Sequence, residues 1–175
     1  MNPIEIRPAT AADIAAITAI YAPAVVQGTA TFELEPPSEA EMGRRFEEIT
    51  RAGFPFIVAQ RGGAVVGYAY VTTYRARPAY RFAVENSIYV AADAQGQGIG
   101  AALLARLIEA STARGYRQMI AVIGDSRQWG SIALHRAAGF TFSGTLHSVG
   151  FKFGRWIDSV FMQRALGPGD SEPAD

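Results

Sequence analysis

A chain of 175 residues, 49% hydrophobic and 18% charged, is long enough for one buried core and too short for two ordinary domains. It has no cysteine, which excludes disulfides, thiolate catalysis and Cys-ligated metals, and no apolar run approaching the roughly 20 residues that cross a bilayer. Net charge is zero but unevenly laid out: three Arg against eight acids in residues 1–50, thirteen bases against five acids in 51–167, three acids and no base beyond.

Residues 4–7 read as a first strand. Thr10 and Asp13 frame a capping-box start to a helix whose apolar positions include Ile14, Ile17, Ala19, Ile20 and Tyr21, with Pro23 expected to end or bend it. Ser38, Glu39 and Glu41 open a second helix that ends near Gly53. Strands at 56–60 and 65–74 flank Arg61, Gly62, Gly63 and Ala64, a hairpin signal. A polar connection over 75–81 leads to a strand at 82–90, with Ala83, Glu85, Ser87 and Tyr89 on one face and Val84, Asn86, Ile88 and Val90 on the other. A Gly-rich segment at 95–100 precedes an Ala/Leu-rich helix over 101–114, stopped by Gly115. A buried strand at 118–123, a helix at about 130–138 stopped by Gly139, and closing strands at 140–149 and 156–164 follow. The order βααβββαβαββ describes one mixed-sheet α/β domain over 1–166, and residues 167–175 read as a polar, disordered tail.

The N-terminus, Met1-Asn2-Pro3-Ile4-Glu5, lacks the charged and apolar regions of a signal peptide, so a soluble, cytoplasmic protein with no membrane association is expected. The basic central region fits either an anionic ligand or a scattered, solvated surface. Nucleic acid is disfavoured, because the bases are dispersed and form no stripe. Fifteen of the sixteen bases are Arg, whose planar fork suits carboxylate, phosphinate or phosphate, and Lys152 is the lone lysine. No metal site is expected.

Gln95, Gly96, Gln97, Gly98, Ile99 and Gly100 lie between a strand and a helix. Such a turn sets successive backbone N–H groups around an anion at the positive end of the helix dipole, or is simply a tight connection. Gly96, Gly98 and Ala101 satisfy the spacing of a dinucleotide loop, but no acid lies about 20 residues on to hold a ribose. A P-loop needs a lysine after its last glycine, and Lys152 cannot serve. Neither NAD nor a nucleoside triphosphate is favoured.

Gln95-x-x-Gly98-x-Gly100 resembles the pyrophosphate loop of the GCN5-related N-acetyltransferase superfamily, and the block from Ser131 through Leu134 and His135 to Gly139 and Phe140 resembles that superfamily's following helix. The run from Val84 to Val90 and the block Gly150-Phe-Lys-Phe-Gly154-Arg-Trp156 are similar to the phosphinothricin and methionine sulfoximine/sulfone N-acetyltransferase family. One departure is Gln128, where many relatives carry Asn. The resemblance implies acetyl-CoA as co-substrate, held between splayed central strands by Ile88, Tyr89 and Val90, by the loop from Gln95 through Gly96, Gln97, Gly98, Ile99 and Gly100 to Ala101, and by Ser131. It also implies a small amino-acid acceptor and a homodimer.

Direct transfer to a primary amine needs a base, because the ammonium form cannot attack. Glu85 holds the position of the family's glutamate base; the alternative is a carboxylate paired with nearby Arg that organises the site. His135 stands where many relatives carry a tyrosine acid and is either a proton donor to the leaving thiolate or structural. Arg75, Arg77 and Arg81, with Glu85, Asn86 and Ser87, are the expected substrate contacts, and Phe32, Lys152, Phe153 and Trp156 the candidate walls. The alternatives are an acetyltransferase for a peptide N-terminus, polyamine or aminoglycoside, or a non-catalytic acyl-CoA-binding module.

Overall fold

Period-two alternation along the strands sorts side chains onto two faces, and each face gathers its own pair of helices. The computed structural model describes residues 3–174. Its elements are β1 (Ile4–Pro8), α1 (Ile14–Val26), α2 (Glu39–Arg51), β2 (Phe56–Arg61), β3 (Ala64–Thr73), β4 (Ala83–Val90), α3 (Ile99–Thr112), β5 (Gln118–Gly124), α4 (Trp129–Ala137), β6 (Thr141–Lys152) and β7 (Arg155–Ala165), in the expected order. The strands form one seven-stranded sheet, β1-β2-β3-β4-β5-β7-β6. Only β4 and β5 run parallel.

On one face Phe56, Val58 and Tyr68 pack against Ile14, Ile17, Tyr21 and Val25 of α1 and Met42 of α2. On the other, Ile57, Ala59, Ala69, Val71 and Val84 pack against Ile99, Leu103, Leu104 and Leu107 of α3, with Ile132 and Leu134 of α4 alongside. The three α3 leucines are fully buried, and each contributes about 1.5–3 kcal/mol of apolar transfer. The α1 end is fastened by Arg7, whose guanidinium lies 2.7 Å from the Asp13 carboxylate and holds that carboxyl at about 2.

Pro23 lies inside α1 rather than at its end. The helix continues to Val26, and Gln27 N–H donates to Pro23 O at 2.9 Å; proline removes its own donor but keeps its acceptor. α3 opens two residues before the expected start. Gly98 at its N-cap takes φ +80°, a left-handed turn that feeds the chain straight into the helix. β6 extends to Lys152, and the β6–β7 tip turns on Phe153 (φ +52°) and Gly154 (φ +71°). Past Leu166 the chain makes turns, Gly169 N–H donating to Leu166 O at 3.0 Å.

One irregularity in the sheet positions everything that follows. β4 and β5 pair from Ala83↔Gln118 only to Asn86↔Ala121. Beyond that point β4 stays with β3 as far as Val90, while β5 stays with β7 as far as Gly124. The seam opens as a fork. No described helix is long and apolar enough to cross a membrane.

Candidate active site

The fork opens into a cleft of about 550 Å³ on the α3/α4 face. Ile88, Tyr89 and Val90 form one wall, Ala121, Val122, Ile123 and Gly124 the other, and Gln95, Gly96, Gly98, Ile99, Gly100 and Ala101 border it at the start of α3. Gly96 and Gly98 adopt φ +72° and +80°, and a Cβ on either would meet nothing within 4 Å, so the turn faces open space. The amides of Ile99, Gly100 and Ala101 form the first turn of α3, where no earlier helical carbonyl is available to accept from them. Gly100 lies close to Leu134, whose Cδ2 would stand 3.3 Å from a Cβ there. Ser131, Leu134 and His135 of α4 line the same cleft. Gln97 does not; it is exposed, with its amide donating to Asp93 O at 3.0 Å and its oxygen accepting from Arg61.

On the opposite face of β4 lies a second cavity of about 340 Å³, under α1 and α2. Glu85 and Ser87 point into it, walled by Tyr21, Met42, Arg45, Phe56, Tyr68 and Tyr70. The register explains the grouping, since Thr72 stands opposite Glu85 and Tyr70 opposite Ser87. Glu85 makes no ion pair among the described residues. Burial pushes its carboxyl above the ordinary range, and the more distant charge of Arg75 pulls it partway back. Tyr21 bonds Thr31 Oγ1 at 2.8 Å and donates to Glu33 Oε1 at 2.9 Å, and Arg45 pairs with Glu33 at 2.7 Å, so the wall is tied to the loop after α1. Burial raises the Tyr21 hydroxyl to about 12 and keeps it protonated.

Several expected positions fall elsewhere. Asn86 lies on the cleft face, away from the Glu85 cavity: its Nδ2 donates to Ile120 O at 3.0 Å and its Oδ1 lies 3.0 Å from His135 Nε2. The other ring nitrogen of His135 is 2.8 Å from Ser131 O, so neither nitrogen is left free for a leaving thiolate. Burial holds the imidazole below its ordinary range. Arg75, Arg77 and Arg81 are exposed on the β3–β4 connection and border neither cavity; Arg75 sits over Tyr74 at 5.1 Å and Arg81 over Phe82 at 4.4 Å. Phe153 and Trp156 are also exposed and away from both cavities. Lys152 is buried, its Nζ donating to Gly28 O at 2.8 Å and Thr31 O at 2.9 Å. Gln128 borders the cleft, but its amide donates to Thr29 Oγ1 at 3.1 Å.

Tyr21, Arg45, Tyr68 and Tyr70 are the wall residues that sequence reasoning missed. The alternation of Tyr68 and Tyr70 along β3, in antiparallel register with Tyr89 and Ser87, is the signal that could have found the last two. Among the described residues no group of three acids or histidines could hold a metal ion.

A strand forked from its parallel neighbour, a glycine turn of free amides beside the fork and an unpaired, half-buried carboxylate across the strand define an acyltransferase of the GNAT class. The profile of the acetyltransferase (GNAT) domain family matches residues 6–161, and the chain belongs to that family. It is an N-acetyltransferase whose co-substrate is acetyl-CoA. The chain is similar to phosphinothricin N-acetyltransferase of Alcaligenes faecalis, 54% identical over 159 residues, which cover 91% of this chain and 81% of the relative. L-methionine sulfoximine/L-methionine sulfone acetyltransferase of Pseudomonas paraeruginosa is 43% identical over 169 residues, covering 96% and 98%. Among solved structures, a phosphinothricin acetyltransferase from Sinorhizobium meliloti in complex with acetyl-CoA superposes with TM-score 0.95 at 52% identity, covering 98% of this chain and 93% of that one.

Proposed function

We propose that the protein transfers acetyl from acetyl-CoA to the α-amino group of a small amino acid whose side chain ends in a sulfone, sulfoximine or phosphinate. The observation that carries this reading is β4 itself, which turns its forked edge toward the cleft and Glu85 toward the cavity under α2. The residues present fit the co-substrate. The free amides of Ile99, Gly100 and Ala101 suit a diphosphate, and the fork admits a narrow arm between Ile88–Val90 and β5. Acetyl-CoA supplies a thioester whose C–S bond breaks as the amine nitrogen bonds the carbonyl carbon, CoA leaving as thiolate and taking a proton from solvent.

Glu85 accepts the proton that the substrate ammonium must lose, a role helped by its raised affinity for protons and its freedom from an ion-pair partner. The edge of β4 past Asn86 has no partner strand on the β5 side, so its backbone groups are available to the acyl oxygen. Arg75, Arg77 and Arg81 border neither cavity, and their exposed guanidinium groups on the β3–β4 connection would meet an acceptor's carboxylate or oxyanion outside the cavity that holds Glu85 and Ser87. The relatives named for phosphinothricin and for methionine sulfoximine and sulfone support this acceptor class. A reaction that consumes acetyl-CoA suits the cytoplasm, where that thioester is made and spent.

The partner is a second copy of the chain. β6 is an edge strand of twelve residues that exposes Phe142, Leu146, Val149 and Phe151, and such an edge needs a cover.

Thiol release from acetyl-CoA, measured with L-methionine sulfone, L-methionine sulfoximine, phosphinothricin, a polyamine and a short peptide, tests the reading. Turnover of the three amino acids above the other amines is expected. Activity confined to the peptide or polyamine would overturn the acceptor class, and binding of acetyl-CoA without turnover of any amine would favour a sensor.

A further inference from the structure

The hydrogen bonds around His135 are determined by two carbonyls, Ile120 O and Ser131 O, whose direction is fixed. Ile120 O can only accept, so Asn86 must present its NH2 there and its Oδ1 toward His135. The Nε2 atom of His135 is therefore protonated, donating to Asn86 across 3.0 Å. Nδ1 faces Ser131 O at 2.8 Å, with the Ser131 hydroxyl 3.5 Å away, so both ring nitrogens stand against acceptors. Phe140 closes the far side with its ring edge-on at 5.0 Å. Asn86 and His135 are 6% and 4% exposed, so each of these bonds is made without competition from water.

The position of this chain of bonds matters more than its strength. Asn86↔Ala121 is the last pair before β4 and β5 separate. The Asn86 side chain crosses that pair to grip Ile120 O, and His135 anchors Asn86 from α4. We infer that His135 is a positioning residue: through Asn86 it braces α4 against the apex of the fork and sets the width of the slot between Ile88–Val90 and β5. Its proton is held by Asn86 and is not given to the leaving group. The inference rests on acetyl-CoA lying in this cleft only for its catalytic consequence; the brace itself belongs to the free protein.

Glutamine separates a brace from an acid. Its Nε2 stands as many bonds from the backbone as that of histidine and donates to Asn86 equally, yet it does not titrate. His135→Gln should keep turnover within a few-fold of the parent and leave the pH profile in place, whereas loss of a general acid lowers kcat by roughly 10²–10⁴-fold. His135→Leu and Asn86→Leu should each weaken acetyl-CoA binding by about tenfold, the cost of a buried polar group left unpaired. The double variant should be no worse than either single one. Amide hydrogen exchange on the free protein supplies a readout without co-substrate: residues 87–90 and 121–124 should exchange faster in the leucine variants and at the parent rate in His135→Gln.

A His135→Gln enzyme with intact acetyl-CoA affinity and collapsed kcat would overturn the brace in favour of the acid. Unchanged exchange in His135→Leu would overturn it outright. If the leucine variants fail to fold, His135→Gln alone still decides between the two roles. A mistaken acceptor class would alter neither the exchange nor the co-substrate affinity.

Discussion

Glu85 is the residue where stability and activity pull apart. Its carboxylate is desolvated among Tyr21, Tyr70 and Ser87 and has no cation in contact, which raises its proton affinity. A carboxyl group whose pKa is higher folded than unfolded favours the native state below its unfolded value and is a liability above the folded one. Glu85→Gln should therefore melt higher than the parent at neutral pH, by differential scanning calorimetry, while turnover falls by roughly 10²-fold. The loss should shrink toward high pH, where substrate amine is already free; an equal loss at every pH would mark Glu85 as structural. In the parent, kcat/KM should fall on the acid side through the raised pKa of this group. Glu85 could be singled out from the chain because it lies on a strand that leads to the glycine turn and holds the position of the family's glutamate. Its companions were not. Tyr21 reads as an ordinary core position of an apolar helix, and Arg45 as a solvated residue of a polar one, until α1 and α2 are laid across the sheet. Contacts of that kind depend on distances in sequence that no local pattern records.

At the scale of elements, the segment between α1 and α2 has almost no apolar pattern, which is why its placement could not be read in advance, yet it is pinned at several points. Lys152 donates to Gly28 O and Thr31 O, Asp125 accepts from Thr29 Oγ1 at 3.1 Å, and Gln128 donates to the same hydroxyl. Asp125 is itself held by Arg155 and takes φ +76°. Ala30 is thereby brought to the cleft wall. The closest approach is at Gly124, where a Cβ would stand 2.3 Å from Thr29 O, a backbone atom that cannot rotate aside. At Gly150 a Cβ would instead meet Phe32 and Ile157 side chains at about 3 Å. Gly124→Ala should cost about 1–3 kcal/mol in urea denaturation and raise the KM for acetyl-CoA, whereas Gly150→Ala should be milder on both counts because side chains can give. Equal effects would mean that the loop is not anchored at Thr29. The strands and the α3/α4 face, by contrast, follow from periodicity and Gly stops, and the difference there is small: α3 starts at Ile99 because Gly98 supplies the turn.

For the whole molecule, the forked sheet divides the labour. The cleft and the Glu85 cavity open on opposite faces of β4, and the two faces carry separate cores; on the proposed reading co-substrate and acceptor would approach that strand from its two sides. The same sheet ends in two unlike edges. β1 is five residues long, whereas β6 is twelve and exposes Phe142, Leu146, Val149 and Phe151, with Trp156 across from Phe151 on β7. Phe142 is 66% exposed and Trp156 63%, a poor arrangement for an isolated subunit in water. A stable pairing buries on the order of 1,200–2,000 Å² in total, and this strand with its neighbour is the longest apolar edge the fold offers. Sedimentation at micromolar concentration should give twice the chain mass for the parent. Phe151→Glu, which puts a charge at the β6–β7 end of that edge, beside Trp156, without touching Glu85 or the cleft, should give the monomer mass with an unchanged far-UV spectrum. A parent that sediments as a monomer, or a Phe151→Glu variant that remains dimeric, would move the interface away from β6 and leave these aromatics without a partner.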